Sequence, residues 1–147
     1  MDRDDDGPTI IEEKFVPPPA TRDFQFFYEG LKSSKLLIQK CSDCGKIRVP
    51  PSPMCPSCQS LSWSAFEAKR EGKVYSFVVH HRPPLPFYPT PHSIALVDMV
   101  DGFRMLAGFH APDRAQPNIG DEVEVHFKKL KSGHVIQYFT PSRAGGR

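Results

Sequence analysis

Four cysteines, Cys41, Cys44, Cys55 and Cys58, are the residues of this sequence best suited to chemistry, and they stand as two CxxC pairs separated by ten residues. A CxxC turn brings two thiolates to one ion, and two such turns supply the tetrahedral sulfur set that zinc accepts at about 2.3 Å. Gly45, directly after the first pair, permits the positive φ that such turns often need. Four protein ligands close the coordination sphere and leave no position for water or substrate, so the expected zinc is structural and not catalytic. Iron takes the same four sulfurs, and the ligand set alone leaves that alternative open. Two tight pairs inside eighteen residues read as metal binding in a reducing compartment, hence the cytoplasm, more readily than as a disulfide framework.

Other candidates are weaker. His80-His81-Arg82 and His92 flank a proline-rich stretch, where histidine can carry protons and arginine can bind phosphate. The reading favoured is that they are solvent-facing residues at strand ends. No nucleophile elbow, phosphate-cradling glycine loop or carboxylate pair is visible, so the expected set of catalytic residues is empty.

The elements that must hold the cysteines follow from periodicity. Residues 1–19 run from an acidic block into Phe15-Val16-Pro17-Pro18-Pro19, too polar and too proline-rich to bury a core, and read as a flexible arm or linker. Thr21 is placed to cap a helix whose Phe24, Phe27, Tyr28 and Leu31 share one face, with Gly30 and Ser33-Ser34 ending it. Leu36-Leu37-Ile38 and Ile47-Arg48-Val49 read as short ribbon strands beside the first knuckle. From Gly72 onward, runs such as Val74 to Val79, Ile94 to Val100 and Phe103 to Phe109 are rich in β-formers. Asp101-Gly102 and Ser132-Gly133 are two-residue hairpin signals that pair their flanking strands antiparallel. Val123, Val125 and Phe127 alternate with Glu122, Glu124 and His126, one face buried and one wet, as in a small barrel or sandwich. The expected organisation is an arm over 1–19, helix and metal ribbon over 20–70, a β-barrel over 71–141 and a loose tail over 142–147.

With 147 residues there is room for a metal module joined to one compact barrel, and 16 prolines argue against long helices. No apolar run approaches the roughly 18 residues of a membrane span, and the start MDRDDDGP is acidic where a secretory signal is basic and then apolar. The net charge of +2 hides an asymmetry. The first thirteen residues are strongly acidic and the rest of the chain is basic, a balance compatible with nucleic acid or with the phosphates of a nucleotide-like cofactor.

The order of parts is specific. Phe26-Phe27-Tyr28-Glu29-Gly30-Leu31 precedes Leu36-Leu37-Ile38-Gln39-Lys40 and the first knuckle; Pro50-Pro51-Ser52-Pro53 precedes the second; Gly72-Lys73-Val74-Tyr75-Ser76-Phe77, Ile94-Ala-Leu-Val97 and Ile119-Gly120-Asp121-Glu122-Val123-Glu124-Val125 follow. Over residues 20–141 this resembles the acyl-CoA-associated proteins that join a rubredoxin-like zinc ribbon to a C-terminal OB-fold, a domain long catalogued as of unknown function. The resemblance implies a mainly β fold, with a short N-terminal helix and zinc ribbon followed by an OB-fold barrel, and carries zinc onto Cys41, Cys44, Cys55 and Cys58. It also implies a noncatalytic subunit in a hetero-oligomer with a thiolase-like enzyme, a thiolase or retro-aldol lyase of steroid or fatty acyl side-chain breakdown. Acyl-CoA would be a ligand shared by the complex, with Phe27, Tyr28, Phe87 and Tyr88 as aromatic groups able to meet the acyl chain or the partner.

The rival expectation is single-stranded nucleic-acid binding, since OB-folds serve that role and zinc ribbons accompany them. It is disfavoured, because Lys128-Lys129-Leu130-Lys131 is the only dense basic run and the acidic arm opposes a phosphate backbone.

Overall fold

A computed structural model describes residues 7–143 of the chain. These fall into two compact units, one over Pro18–Lys69 and one formed by the described residues up to Pro17 together with those from Arg70 onward.

The first unit holds one helix and a three-stranded sheet. Helix α1 spans Gln25–Lys32, and β1 (Leu37–Cys41), β2 (Ile47–Arg48) and β3 (Trp63–Glu67) lie in the order β2-β1-β3. The helix starts later than Thr21 suggests: Phe24 stands at the N-cap without a side-chain cap, and the Thr21 carbonyl accepts the amides of Phe24 and Gln25 at 3.0 Å in a preceding turn. Gly30 does not stop the helix but lies inside it, because a Cβ there would come 2.7 Å from Leu37 Cγ. The helix ends at Lys32, and the chain turns at Ser34 through a φ of 55°. Strand β3, which no turn signal announced, pairs along the whole of β1 from Leu37↔Glu67 to Cys41↔Trp63.

In the second unit β4 (Glu71–His80), β5 (His92–Met99), β6 (Arg104–Phe109), β7 (Glu122–Lys129) and β8 (Val135–Pro141) form a closed barrel in the order β4-β5-β6-β8-β7. Pairing is antiparallel except between β6 and β8, which run parallel at Gly108↔Tyr138 and Phe109↔Phe139. Closure comes from β4, which pairs with β5 along its length and with β7 at its start, Gly72↔Val123. This five-stranded topology is that of an OB-fold. Alternate residues Val74, Ala95, Val97, Met99, Met105, Ala107, Val123, Val125 and Phe139 point inward and are buried. The twist of a small closed barrel demands close backbone approach, and Gly72 provides it: a Cβ would stand 2.5 Å from Val97 Cγ1 and 2.7 Å from the Asp98 carbonyl.

Both hairpins differ from the expected two-residue form. In the first, Met99 N–H donates to Phe103 O at 2.8 Å around Val100-Asp101-Gly102; in the second, Leu130 N–H donates to His134 O at 2.8 Å around Lys131-Ser132-Gly133. These are three-residue loops whose last residue is left-handed, with φ of 88° at Gly102 and at Gly133. A two-residue type I′ turn needs positive φ at both central residues, whereas this loop needs it only where the glycine stands.

The arm also departs from expectation. Residues 12–14 form a 3-10 turn, and the segment from Gly7 to Pro17 belongs to the barrel unit. Its polar backbone finds partners on the barrel, as in the bond from Ile11 N–H to Phe87 O at 2.8 Å. Residues 1–6, which hold most of the acidic block, and the end of the expected tail lie outside the described residues. Among the described residues, no helix is long and apolar enough to cross a membrane.

Candidate metal centre and its supports

Cys41 closes β1, Cys44 lies in the turn to β2, and Cys55 and Cys58 follow the proline-bearing loop between β2 and β3. The two knuckles share one backbone form. Cys41 N–H donates to Lys46 O and its carbonyl accepts from Gly45 N–H; Cys55 N–H donates to Ser60 O and its carbonyl accepts from Gln59 N–H. The residue after each CxxC is left-handed, Gly45 at φ 76° and Gln59 at φ 63°. Gly45 is at ease there, while Gln59 is a non-glycine held by the fold around it.

The four Sγ atoms lie within 4.8 Å of one another, with Cys41–Cys58 and Cys44–Cys55 both at 3.6 Å. Sulfurs arranged tetrahedrally at about 2.3 Å from one ion stand about 3.8 Å apart, so the cluster is positioned to hold a metal ion. Cys41 and Cys55 are buried, whereas Cys44 and Cys58 face solvent. Electrostatics agree with a cation-binding set. The Cys41 thiol is drawn down to about 5, first by the N–H of Cys44, with burial opposing and the Asp43 N–H and Arg48 assisting. Cys55 is lowered chiefly by the N–H of Cys58. At Cys58 the Ser60 N–H favours the thiolate, but burial and the other three sulfurs win and push its pKa up to about 12. Among four close sulfurs the Cys41 and Cys55 thiolates are favoured and the Cys58 thiolate is opposed, a repulsion that a bound cation would relieve.

Two buried polar residues, unremarked in the sequence, hold this arrangement. Gln39 and Arg48 face each other across β1 and β2 and are 1% and 3% exposed. Gln39 clasps the loop before the second knuckle: its Nε2 donates to Ser52 O at 3.0 Å and its Oε1 accepts Ser52 N–H at 2.9 Å. Arg48 donates from Nη1 to Ser52 O at 3.1 Å and from Nη2 to Ser60 O at 3.2 Å and Ser62 O at 3.4 Å. Its Nε has no oxygen partner, and the guanidinium instead interacts with the sulfurs of Cys41 and Cys55. Ser60 Oγ further ties the knuckles by donating to the Asp43 carboxylate. A signal existed only for Gln39, a polar residue on the same strand face as Leu37 and Cys41; Arg48, between Ile47 and Val49, alternates to the face that the pattern leaves in water.

The histidines gather only in part. His80 and His92 are cross-strand partners; His80 Nε2 lies 2.6 Å from Pro83 O, and His92 stacks on Tyr88 at 4.1 Å between ring centres. Burial lowers the His92 pKa, and the neighbouring His80 lowers it further. Thus His92 is half-buried where a solvent-facing residue was expected, while His81 and Arg82 are exposed. A cavity of about 200 Å³, lined in part by His92, His110 and Arg114, lies nearby. Phe87 and Tyr88 are half-buried and engaged within the barrel unit, Phe87 edge-on to Phe15 at 5.3 Å. Phe27 and Tyr28 meet edge-on at 5.7 Å on α1.

Comparison with known proteins places the chain. Residues 29–64 match the ChsH2 rubredoxin-like zinc ribbon domain, and residues 66–128 match the ChsH2 C-terminal OB-fold domain. A solved structure described as an Ltp2-ChsH2(DUF35) aldolase contains a chain that is 35% identical, with a TM-score of 0.76, over 85% of this chain and 98% of that one. This chain belongs to the ChsH2 (DUF35) family.

Two curated relatives are longer proteins. A "Probable enoyl-CoA hydratase alpha subunit" of Thermomonospora curvata is 40% identical over 85% of this chain, and the 3-oxo-4,17-pregnadiene-20-carboxyl-CoA hydratase alpha subunit of Mycobacterium tuberculosis is 37% identical over 78%. The chain spans only 39% and 37% of their respective lengths.

Proposed function

We propose that this protein is a noncatalytic, zinc-bearing subunit that binds a thiolase-like acyl-CoA enzyme, a thiolase or retro-aldol lyase, and helps to form its acyl-CoA site. The observation that carries this reading is the match of the entire ribbon-plus-barrel arrangement to the ChsH2 chain of an aldolase whose name joins two components, Ltp2 and ChsH2. Zinc at Cys41, Cys44, Cys55 and Cys58 is the ion this donor set suits, and its role would be structural. The names of the relatives, alpha subunits of CoA-ester hydratases, support work within a hetero-oligomer and an acyl-CoA substrate, with steroid side chains as one class.

The barrel's outer surface is compatible with a partner. Val78 and Leu106 are each 61% exposed, and the outward positions between them on β5 are Ile94 and Leu96. Apolar residues on adjoining strands are costly to leave in water and suit burial in a complex.

The test is native mass spectrometry of tagged protein taken gently from its own host, followed by acyl-CoA turnover assays on whatever complex is found. A zinc-loaded complex with a thiolase-sized companion that cleaves an acyl-CoA only when both chains are present is the expected result. A lone zinc-loaded chain, or one carrying nucleic acid, would refute the proposal.

A further inference from the structure

Residues 8–15 form a strap across one end of the barrel. Lys128 Nζ donates to Pro8 O at 3.0 Å, Ile11 N–H to Phe87 O at 2.8 Å, and Lys131 N–H to the Glu12 carboxylate at 2.9 Å. Phe15 rests against Phe87 at 5.3 Å and His134 at 5.9 Å between ring centres. Phe87 belongs to the connection between β4 and β5, and Lys131 and His134 to the hairpin between β7 and β8. In a barrel of this topology those two loops border the cleft that takes extended oligomeric ligands.

The groups on the barrel side are those a single strand would engage. Lysine donors track phosphates, and exposed rings stack on bases. The strap meets these groups with a carbonyl for Lys128 Nζ, a carboxylate for the Lys131 backbone N–H, and a phenyl ring set edge-on to Phe87 and tilted against His134. It also descends from the acidic end of the sequence, which repels a polyanion. We infer that residues 8–15 occupy the loop end of the OB cleft, beside the β4–β5 and β7–β8 connections, and exclude single-stranded nucleic acid from it. The inference rests on these contacts and is independent of the partner enzyme.

The test uses the full chain, zinc-loaded. Hydrogen exchange at the Ile11 amide reports the strap, and fluorescence anisotropy of a labelled mixed-sequence single strand reports the cleft. The wild-type protein should protect Ile11 and leave the strand unbound at low salt. The double variant Glu12→Ala/Phe15→Ala should exchange faster at Ile11 by about tenfold or more, the scale expected when one hydrogen bond and one aromatic pair are removed. It should then bind the strand, and added salt should abolish the binding. The single variant Phe15→Ala loosens the same contact from the strap side and leaves every barrel group in place, so it reads out the same opening if the double variant misfolds. Free exchange at Ile11 in the wild type would overturn the inference. So would strand binding by the wild type, or a released strap in either folded variant with no strand binding.

Discussion

Gln39→Ala should weaken zinc binding by about two orders of magnitude although Gln39 touches no cysteine. The side chain is almost fully buried, and both its polar ends are spent on Ser52. Truncation does not orphan the Ser52 carbonyl, because Arg48 Nη1 still donates to it at 3.1 Å. It does orphan the part-buried Ser52 N–H, at a cost of about 2 kcal/mol for a donor that loses its partner. The missing bond to the carbonyl and the space vacated by the amide add roughly 1 kcal/mol more. The loop being released carries Cys55 and Cys58, and zinc binding in small ribbons is coupled to folding. A loss of about 3 kcal/mol therefore reads as roughly a hundredfold in apparent zinc affinity.

Competition against a chromophoric chelator measures that affinity directly. Gln39→Leu fills most of the volume but leaves the same N–H unpaired, so it should retain most of the defect, and Gln39→Glu, which keeps an acceptor for Ser52 N–H, should retain less. Barrel unfolding in urea should be unchanged in all three. If Gln39→Ala and Gln39→Leu both bind zinc within a factor of about three of wild type, which is well under 1 kcal/mol, the clasp is not what positions the second knuckle.

Complete chelation of zinc should open residues 36–60 to protease while the barrel persists; an unchanged cleavage pattern in metal-free protein would contradict a structural role for the ion. Arg48→Lys keeps the charge but loses the fork that reaches three carbonyls, and should lower zinc affinity about 10–100-fold in the same competition assay. Gly72→Ala drives a methyl against Val97 and the Asp98 carbonyl and should cost the barrel about 1–3 kcal/mol in urea, with zinc content unaffected. His92 titrates below its ordinary value because burial, and then His80, penalise the charged ring. Its contribution to stability is therefore present above the usual histidine range near 6.5 and lost as pH falls toward the lower folded value. His92→Gln should flatten that part of the pH profile of barrel stability, and an identical profile in the variant would show that the ring carries none of it.

Much of this structure is legible because local chemistry and global fold agree. The CxxC spacing brings each pair of sulfurs together, and the period-two pattern of Val123, Val125 and Phe127 dictates which face of β7 is inward. Glycines at 102 and 133 mark hairpins even though the loop type was misjudged, since the positive φ is needed in either form. Features missed depend on partners far away in sequence. Strand β3 is largely exposed and takes its identity from pairing with β1, so its own composition announces little. The strap has no core of its own and becomes ordered only because Phe87, Lys128, Lys131 and His134 meet at one end of a closed barrel.

Arg48 shows the limit most clearly. In sequence it is one cation between two β-formers, and its neighbours favour a strand with the arginine in water. Antiparallel register instead sets it opposite Gln39 on the inward side, where no apolar residue could replace it. The loop from Pro50 to Ser62 presents carbonyls at Ser52, Ser60 and Ser62 to the interior, and four sulfurs gather negative charge beside them. A buried guanidinium answers both needs at once: a fork of donors for the carbonyls and a positive charge for the thiolates. The metal centre is thus a seven-residue object, four ligands with Gln39, Arg48 and Ser52 behind them. Loss of the Gln39 or Arg48 side chain should therefore cost about 10–100-fold in affinity although neither is a ligand.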